Sequence, residues 1–238
     1  MHTFLTDKVV LLSGASAGIG RSLLFRLIEA GALVAFCGRS EQKMNDLYLE
    51  IGAEEMKKHF SGIFCLSKET EIVNFIRGIH EKFGRIDYLI NCAGLNSARG
   101  NVEEINTEDL DWMYKINLRA PMIMMKETSK IMKPFKQGTI INVLSTVCLF
   151  SNEGIGAYTA SKSGLDALTK VFRKEVRKDN IKVISVYPGG VNTGFRDTVR
   201  EDYLSPESVA ETILKTMNLP AEVMLDEIVL RPAIERNF

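Results

Sequence analysis

The chain has 238 residues, 45% hydrophobic and 25% charged, which suits one compact domain and excludes a disordered or low-complexity protein. Thirty Lys and Arg balance thirty Asp and Glu, so zero formal net charge leaves no global electrostatic case for nucleic acid or an anionic membrane. No apolar run approaches the ~20 residues that a membrane helix needs.

Taken in chain order, residues 9–13 are short, apolar and β-branched and predict a first strand. A glycine loop follows. Ile19, Leu23, Leu27 and Ile28 then fall at helical spacing and predict a helix over 19–30, stopped by Gly31. Residues 33–37 read as the second strand, and Ser40 is the expected N-cap of a helix over 41–51. A third strand is predicted at 63–66, a helix at 69–83 and a fourth strand at 88–91. A long helical stretch over 107–132 is interrupted near Pro121. Then come a fifth strand at 139–143, a helix at 158–176 and a sixth strand at 183–187. Ser205 with Pro206 opens another helix by N-cap and first-turn proline, and 228–230 is a short last strand.

Continuously apolar strands separated by helices imply a parallel sheet covered on both faces. Right-handed crossovers make it a Rossmann-like doubly wound α/β sheet of about seven strands. No internal repeat or Pro/Gly/Ser linker is visible, so residues 1–238 are read as a single domain. Ligands in such sheets sit beyond the carboxyl ends of the strands. The residues just after each strand are therefore the functional candidates.

The first strand runs into Ser13-Gly14-Ala15-Ser16-Ala17-Gly18-Ile19-Gly20. Gly14 allows the tight turn, Gly18 lets backbone approach a pyrophosphate at a helix N-terminus, and Gly20 allows close helix–sheet packing. After the second strand stands Gly38-Arg39-Ser40, where an NAD site often has a carboxylate. A carboxylate repels a 2′-phosphate and a guanidinium pairs with it, so Arg39 argues for NADP(H), with NAD(H) possible.

Tyr158 and Lys162 share one helix face, and Ser145 lies just past the fifth strand, thirteen residues before Tyr158. A free phenol has a pKa near 10, and a neighbouring ammonium favours phenolate. A serine hydroxyl beside a carbonyl oxygen can polarise it. The set suits proton transfer coupled to hydride transfer at a C–OH/C=O centre.

With these markers in order, the sequence resembles a short-chain dehydrogenase/reductase of the ordinary, non-extended type over essentially the whole chain. The resemblance rests on Gly14-x-x-x-Gly18-x-Gly20, Asn91-Cys92-Ala93-Gly94, Asn117, Ser145, Tyr158-Thr159-Ala160-Ser161-Lys162 and Pro188-Gly189-Gly190-Val191-Asn192-Thr193. It implies that Tyr158 is the general acid/base, that Ser145 polarises the carbonyl, and that Lys162 holds the nicotinamide ribose and lowers the Tyr158 pKa. Asn117 anchors a water relay from Lys162. Asn91, Ala93 and Gly94 line the adenosine ribose. Pro188, Gly189, Val191 and Thr193 border the nicotinamide, and Ser16 and Ile19 belong to the pyrophosphate loop. The departures carry expectations of their own. Ser13 replaces the usual Thr and keeps the hydroxyl. Cys65 stands where many relatives have an Asp, so adenine recognition rests on backbone around Leu66. Ala17 replaces a basic residue of some NADP-using relatives.

The implied activity is NADP-dependent interconversion of a carbonyl and a secondary alcohol on a small molecule. An NAD-dependent dehydrogenase of the same family and a non-catalytic dinucleotide sensor are the alternatives. The resemblance also implies a homodimer or homotetramer through 107–132 and 158–176. Only twelve residues, 194–205, separate Thr193 from Pro206, a short charged lid. Phe150 and Phe195 are expected to line the pocket, and Arg99, Arg196 and Arg200 are the cations available for an anionic substrate. Met122, Met124 and Met125 read as core or subunit packing. Cys37, Cys65, Cys92 and Cys148 carry no metal or disulfide spacing and read as buried thiols of a reducing compartment. His2, His59 and His80 read as surface residues, and no metal site is expected. Residues 1–7 show no signal-peptide pattern, so a cytoplasmic location is expected.

Overall fold

The structure is a computed structural model that describes residues 3–195 and 200–236. Arg196 and His2 lie outside the described residues. The strands are β1 (Val9–Ser13), β2 (Leu33–Gly38), β3 (Phe60–Ile63), β4 (Tyr88–Asn91), β5 (Gly138–Val143), β6 (Ile181–Pro188) and β7 (Glu227–Leu230). They form one parallel sheet in the order β3-β2-β1-β4-β5-β6-β7. The chain leaves β1 for β2 on one side and later returns to place β4 on the other. The strand order therefore reverses between β1 and β4, and a crevice opens at their carboxyl ends.

Helices α1 (Gly18–Glu29), α2 (Glu41–Ile51), α3 (Ala53–Met56), α4 (Glu69–Phe83), α5 (Thr107–Tyr114), α6 (Ala120–Met132), α7 (Gly156–Val176) and α8 (Pro206–Met217) cover the sheet. Alternation along β1 divides the core. Val10 and Leu12 pack with Leu23, Leu27, Val209 and Ile213 of α1 and α8. Val9 and Leu11 pack with Ile72 and Ile76 of α4, Ile123 of α6 and Leu165 of α7. Both faces are apolar, so the strands read as continuous apolar runs. The expected single-domain, doubly wound α/β architecture is the one observed.

Two local expectations need correction. The third strand is Phe60–Ile63, not 63–66. It is an edge strand whose middle residues are Ser61 and Gly62, so it lacks the apolar run of an interior strand. A side chain at Gly62 would collide with the Phe75 ring at 2.9 Å, and its absence lets Phe60, Phe75 and Phe64 pack with centroids 5.3 and 5.2 Å apart. The apolar residues Phe64 and Leu66 turn off the sheet and line the crevice.

The expected interruption near Pro121 takes the form of a π turn over Lys115–Arg119, with Asn117 at its centre, which runs without a break into α6 and Pro121.

His59 is buried, whereas His80 is exposed. The Val34 N–H donates to His59 Nδ1 at 3.1 Å, so the imidazole satisfies a backbone donor of β2. Burial lowers the His59 pKa against the upward pull of Glu55, and Lys58 and Lys82 lower it further. The unfolded chain takes up a proton near pH 6.5 that the folded chain resists, so this stability is present above that pH and lost as pH falls through it. Urea unfolding should therefore show a lower midpoint at pH 5.5 than at pH 7.5. His59→Gln should flatten that dependence, and an unchanged slope in the variant would discount the burial argument. Of the cysteines, Cys37 is buried as a whole residue. Cys65, Cys92 and Cys148 are partly exposed residues with free thiols, and the Cys92 sulfur is turned inward.

Candidate active site

The crevice encloses about 730 Å³ and runs along the carboxyl ends of β2, β1, β4, β5 and β6. Its floor at β1 depends on missing side chains. Gly14 has φ +74°, and a Cβ there would stand 2.7 Å from Ala93 Cα. A Cβ on Gly20 would stand 2.0 Å from the Gly14 carbonyl oxygen. The N-terminus of α1 follows Ala17, whose side chain makes no capping bond, and its first turn has no acidic residue. Its amide N–H groups and the positive end of its dipole therefore face the crevice beside Ser16, Gly18 and Ile19. Ser13 keeps the expected hydroxyl role: Cys92 and Ala93 N–H donate to its Oγ at 3.2 and 3.3 Å, tying the ends of β1 and β4 together.

Beyond β2, Arg39 and Lys43 are exposed cations on the crevice wall, and neither forms an ion pair among the described residues. Lys43 lies in the first turn of α2, four residues after Arg39, and the Ser40 hydroxyl accepts its backbone N–H at 3.4 Å. Carboxylates do line the crevice, at Glu153 and Glu235, but on the far side of the sheet centre. The end near Arg39 and Lys43 is cationic, with Leu66 as an apolar neighbour.

At the other end, Ser145, Tyr158 and Lys162 line the same wall. Ser145 caps a short turn, and its Oγ accepts the Val147 N–H at 3.3 Å. Tyr158 and Lys162 lie on the first turns of α7, and both are buried. Lys162 Nζ donates to the Val143 carbonyl at 2.9 Å. The space that a Gly94 side chain would take belongs to that ammonium, 3.2 Å away, so the β4 loop and α7 meet at Lys162. Burial lowers the Lys162 pKa, while the nearby Cys148 and Cys92 thiols oppose the shift. The same burial pushes the Cys92 thiol up to about 12 and keeps it protonated. Phe195 meets the Tyr158 ring edge-on at 5.8 Å.

Most of the sequence-predicted residues converge here: Ala93, Gly94, Pro188, Gly189, Val191 and Thr193 line the crevice with those already named. Asn91 and Asn117 do not. Asn91 is buried beneath the floor, where its Nδ2 donates to Asn142 Oδ1 at 2.8 Å and joins β4 to β5. Asn117 is buried behind the wall. Its Oδ1 accepts the Leu95 N–H at 2.9 Å, and its Nδ2 donates to the Leu95 carbonyl and Ser161 Oγ at 2.8 and 3.0 Å. Both amide protons are thus committed to holding the Leu95 loop against α7.

Phe150, Phe195 and Arg99 reach the crevice as expected. Arg200 does not line it, because its guanidinium covers the Tyr203 ring at 5.3 Å. Of the methionines, Met124 and Met125 are core and Met122 is exposed. Sequence reasoning missed Lys43 and Glu235. The Arg39–Lys43 spacing across a predicted N-cap is a signal that finds the first. Glu235 arrives from a segment beyond β7 and leaves no local signal.

Among the described residues, no helix is long and apolar enough to cross a membrane. Comparison with known proteins agrees with the fold. An uncharacterised oxidoreductase of Staphylococcus aureus (strain MRSA252) is 28% identical, over 97% of this chain and 99% of that protein. Another from Staphylococcus saprophyticus is 29% identical, over 96% and 98%. An alcohol dehydrogenase of the archaeon Thermococcus sibiricus, solved with 5-hydroxy-NADP, superposes with a TM-score of 0.88 at 25% identity, covering 96% of this chain and 98% of that one. A metagenomic short-chain oxidoreductase solved with NADP gives 0.84 at 27% identity, covering 97% and 99%. The family described as short chain dehydrogenase matches residues 8–204. With that match across most of its length, the chain belongs to the short-chain dehydrogenase family.

Proposed function

We propose that the protein is an NADP(H)-dependent oxidoreductase that interconverts a small-molecule carbonyl and its secondary alcohol, with NAD(H) as a weaker cofactor. The observation that carries this reading is one crevice with Tyr158, Lys162 and Ser145 at one end and the exposed cations Arg39 and Lys43 at the other. Between them lies a cradle that a dinucleotide fits: Gly14 and Gly20 have no room for a Cβ, and the α1 N-terminus is left without a side-chain cap. The NADP-type ligands of the two superposed structures support the same cofactor.

When bound, a reduced nicotinamide supplies the hydride for carbonyl reduction. The chain's own residues handle the proton and the charge. Tyr158 donates its phenolic proton to the carbonyl oxygen and takes it back in the reverse direction. Ser145 already accepts a hydrogen bond from Val147 N–H, so its own proton is available to the same oxygen. Lys162 uses one proton on Val143 and keeps others for the nicotinamide ribose. Its positive charge favours the phenolate form of Tyr158. Asn117 acts as the anchor of this wall, and a water relay from Lys162 passes beside its amide, since both amide protons are taken. Asn91 contributes to the ribose site through the β4 backbone and not its side chain.

The oligomer implied by the family is a homodimer or homotetramer. The exposed apolar residues Met122 on α6 and Leu168 and Val171 on α7 support an interface there.

A paired titration with NADPH and NADH, read by nicotinamide fluorescence, tests the reading. Tighter NADPH binding is expected. Tighter NADH binding would overturn the cofactor preference, and binding of neither would overturn the enzyme reading.

A further inference from the structure

The loop after β6 is held from outside the dinucleotide motif. Gly189 N–H donates to the Leu230 carbonyl at 2.7 Å, at the end of β7. The next amide, Gly190 N–H, donates to Glu235 Oε1 at 2.6 Å. Glu235 is carried there by a turn after β7, in which its own N–H donates to the Pro232 carbonyl at 3.1 Å and Arg231 donates to its carbonyl oxygen at 3.2 Å. Consecutive amides of one loop are thus both captured by the segment around and beyond β7.

The side chains around this contact are fitted to it. A Cβ on Gly189 would stand 2.2 Å from Glu235 Oε2, so the carboxylate fills the space that residue leaves. Gly189 does not have positive φ, and its backbone therefore does not itself demand glycine. A Cβ on Gly190 would stand 2.5 Å from the Tyr203 ring. The glycine pair is clamped between the carboxylate on one side and the ring on the other. Glu235 Oε2 is buried and has no hydrogen-bond partner among the described residues, so only one oxygen of the carboxylate holds the loop.

We infer that Glu235 is a positioning residue for the nicotinamide end of the site. It latches Gly189-Gly190 through a backbone amide and so sets the wall that continues to Val191 and Thr193. This inference rests on the reading of that loop as the nicotinamide border. The latch uses an acceptor oxygen and not the negative charge. Glutamine can therefore replace it, keeping Oε1 on the Gly190 N–H and placing its amide nitrogen where Oε2 has no bond to lose.

The test is NADPH titration of the full chain by nicotinamide fluorescence. Glu235→Ala should weaken binding about tenfold, the upper scale of one lost hydrogen bond. Glu235→Gln should restore binding to within about twofold of wild type. Adenosine 2′,5′-bisphosphate, which carries only the adenine half, should bind all variants alike. Gly189→Ala reaches the same contact from the opposite side and serves where Glu235→Ala does not fold. It should weaken NADPH binding by itself and have no further effect in the Glu235→Ala background. Unchanged NADPH binding in Glu235→Ala, a glutamine as damaging as alanine, or additive effects of the pair would each overturn the latch. If the wild type binds NADPH and Glu235→Ala binds it equally, the latch alone fails. If the wild type binds neither NADPH nor NADH, the dinucleotide reading fails and takes this inference with it.

Discussion

Tyr158→Phe should reduce carbonyl reduction and alcohol oxidation by about 10²–10⁴-fold, the range that a positioned acid/base contributes. At 1.36 kcal/mol per tenfold, that is roughly 3–5 kcal/mol of lost transition-state stabilisation. The substitution removes one oxygen and keeps the ring. The edge-on contact with Phe195 at 5.8 Å and the packing of α7 against the sheet are apolar and survive it. Nucleotide affinity should therefore stay within about twofold, since binding and chemistry are separable when only a transition-state interaction is removed. The measurement is steady-state turnover on a carbonyl compound beside a cofactor titration of the same preparation. Turnover within tenfold of wild type would sink the assignment of Tyr158. A parallel loss of nucleotide binding would show that the phenol positions cofactor and does not transfer the proton. Lys162→Ala should behave differently and lower both turnover and affinity, because it also leaves the Val143 carbonyl without its buried donor.

The contrast between these two residues reflects what was legible in the sequence. Tyr158 and Lys162 are one helical turn apart, so local spacing alone puts them on one face. Gly14, Gly18 and Gly20 are legible for a similar reason, because a strand-to-helix turn onto a phosphate imposes its glycines within a few residues. Interior strands were legible because burial on both faces makes them continuously apolar, as in β1 and β2. The edge strand β3 has only one strand neighbour and carries Ser61 and Gly62, so the apolar pattern points three residues beyond it. His59 looked like a surface histidine because nothing near it in sequence reveals that β2 needs an acceptor for the Val34 amide. Asn91 was rightly placed at the end of β4, yet its side chain turns into a β4–β5 hydrogen bond that depends on parallel register with Asn142. Glu235 is the extreme case. Its partner is 45 residues away and is a backbone amide, which has no side-chain identity to read.

Arg39→Ala should weaken NADPH binding by about 10–100-fold, the equivalent of one or two charge-assisted hydrogen bonds to a phosphate. NADH binding should change by no more than about twofold, since nothing at that position opposes its ribose hydroxyls. Neither Arg39 nor Lys43 forms an ion pair among the described residues, so the cost of removing Arg39 is not offset by releasing a partner. Lys43→Ala should give a smaller effect of the same sign, because an ammonium meets the phosphate as a point charge and not as a fork. Both side chains are exposed, and their contribution is screened by salt. The NADPH advantage should therefore shrink between low and high ionic strength in the wild type and be nearly salt-independent in the double variant. Arg39→Asp carries the argument to its end. It replaces a cation that attracts the 2′-phosphate with a carboxylate that repels it and accepts from ribose hydroxyls, so preference should invert towards NADH. Equal losses of NADPH and NADH in Arg39→Ala would mean that the residue shapes the loop and does not read the phosphate. The cationic end of the crevice would then need another explanation, with Lys43 the residue left to supply it.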